Sequence, residues 1–143
     1  MANVGFIGLG IMGKPMALNL IKGGHKLFLH SRSGVAAELT AAGGTTCANA
    51  KEVAQKADII IIMVPDTPDV EKVLFGAGGV AEGLAKGKTV IDMSSISPIE
   101  TKVFAKRIGD LGCDYVDAPV SGGEVGAKSA SLTIMVGATQ AAF

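Results

Sequence analysis

The sequence predicts an α/β fold: a doubly wound, mostly parallel sheet with helices on both faces. Two observations and one rule carry that expectation. Short apolar runs alternate with segments of helical spacing along the chain, without repeats or low-complexity linkers. Ile59-Ile60-Ile61-Ile62-Met63-Val64 is an unbroken apolar run, almost all β-branched, where a strand with one wet face would alternate; it belongs in a sheet covered on both sides. Right-handed crossovers between parallel strands then put the helices on both faces.

Each element has its own signal. Asn3 to Ile7 is a short apolar run ending at Gly8, a strand followed by a turn. From Met12 onward, apolar residues recur at Met16 and Leu20, flanked by Ala17 and Ile21, which is helical spacing; Gly23 and Gly24 stop the helix. Leu27 to His30 reads as a second strand, Ala36 to Ala42 as a short helix closed by Gly43 and Gly44, and Thr45 to Cys47 as a brief third strand. Asn49 followed three residues later by Glu52 resembles a capping box. Pro65 ends the isoleucine strand, and Thr67-Pro68 reads as an N-cap with proline at the first helical position. Thr89 to Asp92 is a further strand. Ser97-Pro98-Ile99-Glu100 opens a helix whose Ile99, Val103, Phe104, Ile108 and Leu111 share one face, and Gly112 closes it. Tyr115 to Asp117 and Leu132 to Val136 are the last two strands, separated by a glycine-rich loop.

Bulk composition narrows the class. At 143 residues, 48% of them hydrophobic, the chain suits one domain spanning 1–143 and is too short for two of ordinary size. A formal net charge of zero offers neither the basic surplus of a nucleic-acid binder nor an acidic tail. Cys47 and Cys113 lie far apart without metal-ligand spacing, so no metal is expected and both read as buried thiols in a reducing compartment. Met-Ala-Asn-Val has no positive n-region and the longest apolar stretch is too short to cross a bilayer, so a cytoplasmic protein without membrane contact is expected.

Gly8-Leu9-Gly10-Ile11-Met12-Gly13 is a Gly-x-Gly-x-x-Gly motif between a predicted strand and a predicted helix. Gly8 permits a tight turn, Gly10 lets a pyrophosphate approach the backbone, and Gly13 lets the helix pack on the strand. Amides and dipole at the helix start attract the negative charge. A tight turn without a ligand is the plainer reading; the strand before, the helix after and the place in the first βαβ unit favour a Rossmann-type dinucleotide site. An NAD-selective site carries Asp or Glu about 20 residues on, for the ribose 2′-hydroxyl. Here that neighbourhood is Leu29-His30-Ser31-Arg32-Ser33, and no carboxylate follows until Glu38. Arg32 with Ser31 and Ser33 suits a 2′-phosphate, which makes NADP(H) the preferred cofactor and NAD(H) possible. Arg32 as a solvated loop charge is the alternative.

GFIGLGIMGKPMALNL, VIDMSSISP and DAPVSGGEVGA together resemble the β-hydroxyacid dehydrogenases, the group of 3-hydroxyisobutyrate dehydrogenase and tartronate semialdehyde reductase, over essentially the whole chain. GFIGLGIMGKPM and IDMSSI lean toward the tartronate semialdehyde branch. The resemblance implies an NADP(H)-dependent oxidoreductase of small β-hydroxyacids that reduces tartronate semialdehyde to glycerate, with 3-hydroxyisobutyrate oxidation as the near alternative. It implies cofactor contacts at Met63, Val64, Pro65, Asp69 and Ser95, and a substrate-carboxylate loop at Ser121, Gly122 and Gly123. Two glycines after a serine let backbone N–H groups converge on an anion, although such a loop also serves simply to turn the chain.

In this family a lysine on a second, all-helical domain acts as general acid, and no segment here corresponds to it. No catalytic residue is therefore expected up to Phe143, and the lysine would lie beyond it. Lys128 and Lys14 do not fit its place. The expectation is a cofactor domain that binds nucleotide but catalyses poorly alone, within a longer enzyme that is a homo-oligomer. If 143 residues were the natural length, a non-catalytic nucleotide-binding module would be the rival reading.

Overall fold

The computed structural model describes residues 3–10, 12–32, 34–64, 66–94, 98–118, 120–121 and 133–134. Among these, six parallel strands form one sheet. They are β1 (Asn3–Ile7), β2 (Lys26–His30), β3 (Thr45–Thr46), β4 (Ile59–Ile62), β5 (Thr89–Asp92) and β6 (Asp114–Asp117). Their spatial order is β3-β2-β1-β4-β5-β6, so the direction of winding reverses between β1 and β4. That reversal opens a crevice at the carboxyl ends of the strands. The helices are α1 (Gly13–Lys22), α2 (Ala37–Ala41), α3 (Ala50–Lys56), α4 (Thr67–Phe75), α5 (Val80–Gly83) and α6 (Pro98–Asp110).

The isoleucine run does what an all-apolar strand must. Ile60 and Ile62 enter one core with Val53 of α3, Val70 and Leu74 of α4, and Phe104 and Ile108 of α6. Ile59 and Ile61 face the opposite core with Met16 and Ala17 of α1 and Leu39 of α2. β1 divides likewise, Val4 and Phe6 to one side and Ile7 to the other. Side chains alternate across a strand, so a sheet with both faces covered needs apolar residues at every position. Burying each such side chain is worth roughly 1.5–3 kcal/mol.

Several local expectations need correction. The N-cap of α4 is Asp66, whose carboxylate accepts from the Thr67 N–H at 2.7 Å; Thr67 is the first helical residue. The Gly23-Gly24 stop of α1 holds: Gly23 is the C-cap and Gly24 takes the left-handed conformation at φ +92°. The Asn49 cap holds: Asn49 Oδ1 accepts from Glu52 N–H at 2.9 Å, but the Glu52 carboxylate reaches back to Ala48 N–H, one residue earlier than a capping box requires. Ser97 of the other proposed cap lies outside the described residues. α6 does not bury five residues on one face. Phe104 and Ile108 are fully buried, whereas Ile99 is 74% exposed and Val103 and Leu111 nearly half exposed. At about 100° per residue, Val103 stands a quarter turn from Phe104 and Ile99 further still. Leu111 follows the helix, in the turn that Gly112 closes at φ +78°.

The final strand also differs. Thr133–Ile134 (β8) pairs antiparallel with Val120–Ser121 (β7), outside the six-stranded sheet. No strand was expected at Val120, and apolar character alone does not say which sheet a short strand joins. Helix α5 was likewise not anticipated; four residues are too few for a period to register.

Candidate cofactor site

The glycine turn leaves β1 with its geometry fixed by neighbours. Gly8 adopts φ +98°, its N–H donates to His30 O at 3.1 Å, and the Leu9 N–H donates to Ser31 Oγ at 3.3 Å. A Cβ on Gly8 would collide with the Met63 carbonyl, and one on Gly13 with the carbonyl of Gly8. These two glycines are required by the fold alone. Gly10 is different: a Cβ there would meet no protein atom within 4 Å. Its missing side chain therefore has no packing reason, and the residue lines the crevice.

α1 starts directly after the turn. Met12 at its N-cap makes no side-chain cap, the first turn holds no acidic residue, and the first bond of the ladder runs from Lys14 N–H to Gly10 O at 3.0 Å. Amides ahead of that bond, with the positive end of the dipole, suit an anion. Lys14 itself is paired with Glu38, whose carboxyl that hydrogen bond holds below its ordinary range.

The crevice is a cavity of about 660 Å³, ample for part of a dinucleotide. The structure brings together on its walls Gly8, Leu9, Gly10, Met12, Gly13, Ser31, Arg32, Met63, Val64 and Asp69, all expected from the sequence. Arg32, 80% exposed, reaches across from the end of β2 to α4, its Nη1 lying 3.7 Å from Asp69 Oδ1. Ile11, Ser33, Pro65, Ser95, Gly122 and Gly123 lie outside the described residues. Ser121, expected in a loop, is the second residue of β7.

Other wall residues were missed. His30, Asn49, Lys72, Val73 and the segment 77–79 also line the cavity. Only Lys72 carried a readable signal: with Asp69 and Val73 it makes an i, i+3, i+4 face on a predicted helix. The 77–79 segment is loop and reaches the site through the crossover.

A polar network, also missed, links β6, the end of β5 and the segments that follow β4 and β5. Asp92 is fully buried; its Oδ2 accepts from the Tyr115 hydroxyl at 2.7 Å and its Oδ1 from the Ser94 N–H at 2.9 Å. Ser94 Oγ in turn accepts from the Val64 N–H at 2.9 Å. Burial pushes the Asp92 carboxyl above its ordinary value despite these donors. Burial and the neighbouring Asp92 raise both the Tyr115 hydroxyl and the Asp117 carboxyl. The network ties the cavity-lining Val64, two residues past β4, to the sheet interior.

Among the described residues no helix is long and apolar enough to cross a membrane. Comparison with known proteins agrees with the geometry. The family model for the NAD binding domain of 6-phosphogluconate dehydrogenase matches residues 3–143. The chain is 56% identical over 140 residues to the 2-hydroxy-3-oxopropionate reductase of Escherichia coli (strain K12), covering 98% of this chain and 48% of that protein. Among solved structures it is similar to the 3-hydroxyisobutyrate dehydrogenase of Mycobacterium tuberculosis with L-serine, at a TM-score of 0.91 and 32% identity, over 99% of this chain and 48% of that one. It is also similar to Psf3 in complex with NADP+ and 2-OPP, at a TM-score of 0.91 and 28% identity, over 97% of this chain and 50% of that one. The chain spans about half the length of the curated relatives it matches. The resemblance carried by the three sequence motifs and the Rossmann-type sheet are thereby shown, and the chain belongs to the family of the NAD binding domain of 6-phosphogluconate dehydrogenase.

Proposed function

We propose that residues 1–143 form the dinucleotide-binding domain of an NADP(H)-dependent oxidoreductase of small β-hydroxyacids, reducing tartronate semialdehyde to glycerate. The observation that carries the reading is Gly10. It lacks a side chain where the fold would accept one, on the wall of a cavity that also holds Arg32. A bound nicotinamide coenzyme supplies the hydride. This chain's residues bind and orient: amides near Gly10, Met12 and Gly13 face the pyrophosphate, and Arg32 with Ser31 and Ser33 takes the 2′-phosphate. The end of β2 offers no carboxylate to reject that phosphate. Met63, Val64 and Pro65 pass close to the adenosine and the nicotinamide ribose, Asp69 makes a further cofactor contact, and Ser95 orients the nicotinamide. Ser121, Gly122 and Gly123 hold the substrate carboxylate.

The substrate follows the identity to the Escherichia coli reductase. Similarity to the mycobacterial 3-hydroxyisobutyrate dehydrogenase supports oxidation of 3-hydroxyisobutyrate as a second reading. A cytoplasmic setting fits the two free, buried thiols, Cys47 and Cys113. The family resemblance adds a homo-oligomeric assembly of the complete enzyme.

The test is calorimetric titration of the full chain with NADPH and NADH, alongside Arg32→Asp. The wild type should prefer NADPH, and the variant should lose about tenfold or more of that affinity while gaining for NADH. Unchanged affinities for both would overturn the coenzyme assignment. Turnover assays of the complete, longer enzyme with both hydroxyacid pairs then decide the substrate.

A further inference from the structure

Arg32 is not alone on its wall of the cavity. Asp69 lies 3.7 Å from its guanidinium, so the very cation suited to a 2′-phosphate faces a carboxylate. Arg32 and Asp69 together sum to zero charge, a poor match for a phosphate carrying about two negative charges near neutral pH. The third charged side chain on this wall is Lys72, one turn along α4 from Asp69 and lining the same cavity. Among the described residues no carboxylate lies within ion-pair distance of its ammonium. It is exposed, at the cavity rim rather than in the core.

We propose that Lys72 is a specificity-determining residue for the coenzyme's 2′-phosphate, restoring the positive charge that Asp69 removes from Arg32. The inference rests on the NADP(H) reading above. Asp69 and Lys72 sit on one face of a single helix and act in opposite directions: the carboxylate favours a ribose hydroxyl, the ammonium a phosphate. Position 72 therefore sets how strongly the pocket prefers the phosphorylated coenzyme. Lys72 also stands in the last turn of α4, where a cation complements the helix dipole. That purely structural role would alter stability and leave coenzyme discrimination untouched.

The experiment measures dissociation constants for NADPH and NADH, at low and physiological salt, on the full chain and on Lys72→Gln, Lys72→Arg and Asp69→Asn. Lys72→Gln should weaken NADPH about fivefold at low salt, less at high salt, and leave NADH unchanged. Lys72→Arg should restore NADPH binding, and Asp69→Asn should strengthen it. Equal weakening of both coenzymes by Lys72→Gln, or no change in either, overturns the proposal. If the wild type shows no NADPH preference and Arg32→Asp alters nothing, the coenzyme reading itself fails. If that preference stands and Lys72→Gln is silent, only the role of Lys72 fails.

Discussion

The Tyr115 hydroxyl donates a 2.7 Å hydrogen bond to Asp92 Oδ2 in the interior, joining the last residue of β5 to β6. A buried carboxylate is costly unless donors surround it, and here Tyr115 and the Ser94 N–H supply them. Desolvation still wins, and the Asp92 carboxyl is held above its ordinary 3.8.

The sign of the resulting pH dependence is fixed. With its native pKa above the unfolded one, Asp92 keeps a proton in the folded state after the unfolded chain has released it. Its contribution to stability is complete below about pH 3.8 and is lost as pH rises through the native value. Asp92→Asn cannot ionise and lacks this dependence. Thermal melts of both proteins from mild acid to neutrality should show the wild type's relative stability declining as pH rises; a constant difference would refute the shift.

Ser94→Ala should cost about 1–3 kcal/mol, because it leaves the Val64 N–H without its 2.9 Å acceptor near the base of the site. Faster hydrogen exchange at the Val64 amide, beyond the change in global stability, is the specific readout.

Gly10→Ala and Gly13→Ala should separate binding from folding. The Gly10 variant should melt within about 1 kcal/mol of wild type, since its Cβ meets nothing, yet bind coenzyme about tenfold or more weakly. The Gly13 variant drives its Cβ into the Gly8 carbonyl and should lose more than about 2 kcal/mol. Coenzyme affinity unaffected by the Gly10 substitution would count against the cradle.

Phe104→Ala should destabilise by roughly 3–5 kcal/mol, as expected for a fully buried ring, and Val103→Ala by less than about 0.5 kcal/mol. Denaturant melts of the two variants check which side of α6 carries the packing.

What was legible follows from range. Ile59 to Ile62 announced a doubly covered sheet because every side chain on such a strand meets a core. The glycine turn was legible because its chemistry is local to six consecutive residues. Asp92 and Tyr115 were not, because their bond links positions 23 apart that meet only through strand register, Asp92 beside Asp117. Asn49 and the segment 77–79 joined the cavity through crossovers whose lengths say nothing about direction. The exposed Ile99 and Val103 escaped because an apolar residue near a helical stripe is indistinguishable from one inside it until the neighbouring strand is placed.

Ser31 serves two masters: it stands beside Arg32 and it accepts the Leu9 N–H that steadies the glycine turn. On the proposed coenzyme reading, rewriting position 31 to convert coenzyme choice would therefore loosen the turn proposed to hold the diphosphate along with the ribose preference. Redesign aimed at positions 32, 69 and 72 avoids that mechanical cross-talk.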